Sequence, residues 1–132
     1  MNKTVIIAES SPAIARDIAQ VFAEEGFHVL GVFHDGMSAL RCARANSPGM
    51  VSLDLILPKL SGLQLALQLG QMAVPPKILA ISAVRSHERL TQAKEAGVTS
   101  YILKPMADDK LRTVIKIQAE RYQTAVTVGQ ER

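Results

Sequence analysis

Residues 4–26, TVIIAESSPAIARDIAQVFAEEG, decide the fold because the spacing of their apolar side chains changes in mid-stretch. Val5, Ile6 and Ile7 form an unbroken β-branched run from Thr4 to Ala8, the pattern of a buried strand. Beyond Ala8 the period becomes helical. Ser11 can cap, Pro12 suits the first helical position, and Ile14, Ile18, Val21 and Phe22 recur at helical spacing until Gly26 provides a stop.

The same strand-then-helix unit repeats down the chain. Phe27 to Val32 reads as a second strand, followed by the turn pair Asp35-Gly36 and a short helix from about Met37 to Ala45. A third strand, Met50 to Leu53, ends at Asp54. Pro58, Ser61 and Gly62 then mark a loop before a Leu- and Gln-rich helix through about Met72. Lys77 to Ile81 is a fourth strand, and Ser86 begins a helix that stops at Gly97. Ser100 to Leu103 is the fifth strand. A last helix runs from about Asp108, as its cap, to Tyr122, with Leu111, Val114, Ile115 and Tyr122 on one face. Strict alternation at these lengths predicts an α/β fold, a five-stranded parallel sheet doubly wound with helices on both faces. Such sheets bind ligands at the carboxyl ends of their strands, which is where Glu9, Ser10, Asp54, Ser82 and Lys104 fall.

Composition narrows the function. With 132 residues, 48% hydrophobic and 20% charged, one globular domain is expected. Glu9, Arg16 and Asp17 interrupt any signal-peptide core, and no run of about 18 apolar residues could span a membrane. The single cysteine, Cys42, has no intrachain partner and reads as a small packing residue in a reducing compartment, so a cytoplasmic location is expected. The net charge of +3 invites a nucleic-acid reading, but the 15 Lys and Arg are dispersed and only two Tyr and three Phe are available for stacking. Direct nucleic-acid binding is therefore not expected. His28, His34 and His87 show no ligand spacing and read as surface residues.

Taken in order, four stretches of sequence resemble the receiver domains of response regulators in two-component systems. They are Ala8-Glu9-Ser10-Ser11-Pro12, then Leu53-Asp54 with Pro58 and Gly62 following, then Ser82-Ala83, and finally Tyr101-Ile102-Leu103-Lys104-Pro105. The resemblance runs from Val5 to about Tyr122. It implies the flavodoxin-like strand order 2-1-3-4-5, a receiver domain over residues 1–124, and residues 125–132 as a polar tail or the start of a linker. It implies that Asp54 accepts a phosphoryl group, that Lys104 supplies a fixed positive charge, and that Ser82 offers a hydroxyl to a phosphoryl oxygen. Tyr101 is the aromatic that in the family changes rotamer when that hydroxyl moves. The implied cofactor is Mg2+, held by Glu9, Asp54, the backbone carbonyl of Ile56 and the position of Ser10. The implied partners are a histidine kinase or phosphotransfer protein and a downstream protein or output domain, with a homodimer through the face from the fourth to the fifth helix left open. Such a domain assists its own phosphoryl transfer and dephosphorylation without being an enzyme in the ordinary sense.

One position departs from the family. Its members usually carry two adjacent acids after the first strand, and the second, a direct metal ligand, aligns with Ser10. A hydroxyl can still ligate magnesium, but one negative charge is gone. At about 4 Å and an effective dielectric near 20 a unit charge pair is worth roughly 4 kcal/mol before solvation offsets, so weak metal binding is expected. The departure also sustains an alternative, a degenerate receiver working as a phosphorylation-independent interaction module. Two enzymes or carriers on similar sheets fit less well. A phosphatase of the haloacid dehalogenase type needs a second Asp where Ile56 stands, and a flavodoxin needs a Thr- and Gly-rich phosphate loop where Ser10-Ser11-Pro12 has no Gly.

Overall fold

The computed structural model describes residues 2–131, with side chains through residue 120. The elements are β1 (Thr4–Ala8), α1 (Pro12–Glu24), β2 (His28–Phe33), α2 (Gly36–Asn46), β3 (Met50–Leu53), α3 (Gly62–Gly70), β4 (Lys77–Ser82), α4 (His87–Glu95), β5 (Ser100–Leu103) and α5 (Asp108–Glu131). The five strands pair in parallel in the order β2-β1-β3-β4-β5, the flavodoxin-like order.

Apolar strands arise here because both sheet faces are covered. Successive side chains of a strand point to opposite faces, so Ile6 and Ala8 join Val51, Leu53, Ile78 and Ala80 on the side of α2 and α3. Val5 and Ile7 join Met50, Leu79, Ile81 and Ile102 on the side of α1 and α5. The helices start where polar side chains replace missing backbone acceptors. Ser11, Asp35, Ser61 and Ser86 each accept from an amide three residues on, at 3.3, 2.8, 3.2 and 3.2 Å.

Several boundaries differ from the sequence expectation. Phe27 does not open β2. Its buried ring meets Phe22 edge-on at 5.3 Å between centroids, and its amide donates to the Phe22 carbonyl, closing α1 instead. Asp35-Gly36 is not a free-standing turn, because Asp35 caps α2 and Gly36 is already helical. Helix α3 ends at Gly70, short of Met72, and β4 extends to Ser82. Asp108 lies inside the first turn of α5, not at its cap, where its charge suits the positive helix end. Helix α5 continues past Tyr122 through Glu131, so the backbone of the expected tail is helical to that point, while the side chain of Tyr122 lies outside the described side chains.

Candidate functional site

Strand order sets the site. β1 sits between β2 and β3, so the chain leaves β1 for opposite halves of the sheet and a crevice opens at the carboxyl ends of β1 and β3. The sheet's ladder runs one step past the strands and fixes the residues that follow them. The Glu9 amide donates to the Phe33 carbonyl at 2.9 Å, the Asp54 amide to that of Ala8 at 3.1 Å, and the Lys104 amide to that of Ser82 at 3.0 Å. Residues 45 and more apart in sequence thus present their side chains to one point.

Asp54 is the centre of what is presented. Its Oδ1 accepts from the Ser82 hydroxyl at 2.5 Å and from the Ile56 amide at 3.0 Å, and its Oδ2 accepts from Lys104 Nζ at 2.7 Å. The same ammonium donates to Glu9 Oε1 at 2.5 Å, while Glu9 Oε2 accepts from the Ser11 amide at 2.9 Å, with Ser10 Oγ at 3.5 Å. Glu9 and Asp54 are buried, at 1% and 7% exposure, so Asp54 is the acid more open to an incoming group. Buried charges need partners, and among the described residues no buried side-chain nitrogen or oxygen lacks one. Burial alone would lower the Lys104 ammonium, but the hydrogen bonds and charges of Asp54 and Glu9 outweigh it and hold it above its ordinary value. The lysine is therefore a fixed cation at neutral pH.

Tyr101 stands behind this cluster. Its hydroxyl donates to the Val84 carbonyl at 2.8 Å and so ties β5 to the loop after Ser82. Burial pushes the phenol above its ordinary value, so it remains a neutral donor. Sequence reading did not single out Arg85, and it named Gly62 and Gly36 without the backbone approach each permits. Arg85 donates to the Lys104 carbonyl at 3.0 Å, a long-range contact with no local signal. Gly62 lets the chain pass over Asp54, since a Cβ there would stand 2.1 Å from the Asp54 carbonyl oxygen. Gly36 allows an equal approach to the Leu60 carbonyl and donates to that of Pro58, anchoring the loop after Asp54. The Asp-Gly pair was the available signal for that anchor. His34, exposed, places Nδ1 2.8 Å from the Glu9 carbonyl.

As a metal site the cluster offers only oxygen, from the carboxylates of Glu9 and Asp54 with the Ser10 hydroxyl beside Glu9, a donor type that suits a hard cation such as Mg2+ that keeps several waters. Among the described residues no group of three or more His, Cys, Asp and Glu gathers to form a cage. The donor type fits magnesium.

The family model for the response regulator receiver domain matches residues 5–116. The chain belongs to that family. This receiver domain is 28% identical over 120 residues to the transcriptional regulatory protein PdtaR of Mycobacterium tuberculosis, covering 91% of the chain and 58% of the regulator. It therefore spans little more than half the length of that relative. It is also 28% identical to the chemotaxis protein CheY of Treponema pallidum, covering 81% of the chain and 76% of that protein. Among solved structures, the response regulatory domain of mrkE from Klebsiella pneumoniae superposes with a TM-score of 0.84 at 25% identity, over 92% of this chain and 98% of the other. Receiver domains of two-component systems are phosphorylated by histidine kinases or phosphotransfer proteins and generally bind Mg2+ for that reaction. Among the described residues no helix is long and apolar enough to cross a membrane.

Proposed function

We propose that this receiver domain accepts a phosphoryl group on Asp54 from a histidine kinase or phosphotransfer protein, and that the modification switches a protein-binding surface. The observation that carries the reading is the hold on the Asp54 carboxylate, with one oxygen on the Lys104 ammonium and the other on the Ser82 hydroxyl. An Asp54 oxygen attacks phosphorus as the donor's bond to phosphorus breaks, leaving an acyl phosphate. Lys104 then neutralises charge on the phosphoryl oxygens, and Ser82 transfers its hydrogen bond from Asp54 to one of them. The domain assists this transfer and the later hydrolysis but is not an enzyme in the ordinary sense. Mg2+, when bound, supplies further neutralising charge. Glu9, Asp54, the Ile56 carbonyl and Ser10 would hold it, weakly because Ser10 is neutral.

Movement of Ser82 reaches the surface through Val84 and Tyr101. Tyr101 borders a hollow of about 290 Å³ with Leu90, Ala93, Lys94 and Val98, beside α4 and β5. A downstream protein, an output domain or a second copy bound through the α4 to α5 face would sense that change. With its charges dispersed, the domain acts through protein partners and not directly through nucleic acid, and its single cysteine suits the reducing cytoplasm.

A second reading, a phosphorylation-independent interaction module, draws support from Ser10 and from a lysine that already occupies both carboxylates. Amide spectra with and without a beryllofluoride mimic separate the two. The switch predicts shifted signals from Ala83 to Tyr101, a two-state change without refolding; unchanged signals over that stretch favour the module.

A further inference from the structure

We infer that the outer face of α3 is a dimerisation surface, on which a second copy of this chain packs antiparallel about a two-fold axis beside Leu67. Residues 60–76 contain no Asp, Glu, Lys, Arg or His, the longest such stretch in a chain that is 20% charged. Every other helix exposes charge, as at Arg16 in α1, Arg41 in α2, Arg89 in α4 and Lys116 in α5. Two of the five large apolar side chains left exposed among the described residues lie in this stretch, Leu67 at 45% and Val74 at 73%. Leu67 stands between the exposed Gln64 and Gln71, and Arg44 of α2 borders the face by donating to Gln68 at 2.9 Å.

Gly70, also exposed, marks where another chain can come close. It is helical and outside the left-handed region, and no neighbouring group packs within 4 Å of where its Cβ would stand. Glycine is a poorer helix residue than alanine. Neither turn geometry nor packing within the chain accounts for it, whereas the approach of a second backbone does.

Charge and spacing identify the occupant. The chain carries a net charge of +3, so two copies repel least through a face that has none. A charged partner finds nothing here to pair with, but an amide both donates and accepts, so Gln can bond Gln across a two-fold axis. Gln64 and Gln71 are seven residues apart, two turns or about 10.5 Å of helix. An antiparallel two-fold passing between Leu67 and Gln68 sets Gln64 against Gln71 of the second copy twice over, with the two Leu67 side chains adjacent at the axis. Gly70 lies within one turn of that axis, where the helices come nearest. A contact built on one helix of nine residues is small, so the association is weak and depends on concentration. It uses neither Ser82 nor Tyr101 and needs no phosphoryl group.

Sedimentation velocity of the full chain up to millimolar concentration tests this, with far-UV circular dichroism to check the fold of each variant. The wild type is expected to sediment as a monomer when dilute and to approach the dimer value when concentrated, with and without beryllofluoride. Leu67→Lys sets two like charges together at the axis and is expected to weaken the dimer at least about tenfold. Gly70→Gln, which fills the open space above the helix, is expected to weaken it too. Gln64→Glu combined with Gln71→Lys is expected to tighten it, because the antiparallel register brings opposite charges together twice. Weakening by that pair overturns the register and the inference, and the pair decides should Leu67→Lys fail to fold. Arg89→Glu on α4 is expected to change nothing. A wild type that stays monomeric throughout overturns the inference and leaves the face to a different protein. A dimer that withstands Leu67→Lys, or forms only with beryllofluoride, pairs through another face and overturns it as well.

Discussion

Lys104 and Arg112 each hold two carboxylates, but the two arrangements differ in how deeply the acids are buried and in where they stand in the chain. Arg112 bonds Glu24 at 2.9 Å and Glu25 at 3.3 Å, neighbours at the end of α1 whose side chains are 45% and 15% exposed. Lys104 bonds Glu9 and Asp54, whose side chains are 2% and 8% exposed and which follow different strands. Surface pairs of the first kind gain little because water competes and salt screens them. In the second kind two charges have left water, and each group is costly without its partners. Among the described residues the buried acids, Glu9 and Asp54, both stand at the carboxyl-end edge of the sheet, which concentrates the chemistry there.

Breaking each cation tests that contrast most strongly. Lys104→Met is expected to lower unfolding stability by about 2–3 kcal/mol, somewhat below the full cost of breaking a buried pair because the ammonium keeps some solvent contact. Arg112→Gln is expected to leave the urea midpoint unchanged. Equal losses from the two would show that burial is not what distinguishes them.

Ser82→Ala is expected to act less strongly, costing about 1–2 kcal/mol, because Asp54 Oδ1 loses its hydroxyl donor but keeps the Ile56 amide. The same urea series measures it. A loss as large as that of Lys104→Met would place the hydroxyl, not the ammonium, as the chief partner of Asp54.

A smaller effect follows from protonation. The Lys104 ammonium is held above its ordinary value of 10.5, so its stabilising contribution is fully present below that pH and is lost as pH rises through the folded value. The stability gap between wild type and Lys104→Met should be flat from neutral pH to about 10 and narrow above 10.5. A gap that narrows near neutrality would mean that the lysine is not held charged by Glu9 and Asp54.

The same contrast explains what could be read from sequence. The sheet was legible because strands covered on both faces become unbroken apolar runs, as in Val5 to Ile7, and because Ser11 and Ser86 announce α1 and α4; Ser61, read as part of a loop, turns out to cap α3. The convergence of Glu9, Asp54, Ser82 and Lys104 followed from topology, since each stands at the carboxyl end of a parallel strand. The double grip of Lys104 was not legible. It depends on side-chain reach across β1, β3 and β5, and no spacing in the sequence encodes it. Likewise Phe27 reads as a strand residue until its packing on Phe22 is known, and Gly62 reads as loop punctuation until the Asp54 carbonyl is found beneath it.

The central claim concerns Asp54 itself. Wild type and Asp54→Asn are incubated with acetyl phosphate and Mg2+ and followed by intact-mass spectrometry, with hydroxylamine treatment to identify an acyl phosphate. Asn keeps the size and most hydrogen bonds of Asp but not its nucleophilic carboxylate, so the variant should fold normally and gain no mass, while the wild type gains one hydroxylamine-labile phosphoryl group. Labelling of Asp54→Asn to the extent of the wild type would contradict the assignment of Asp54 as the acceptor.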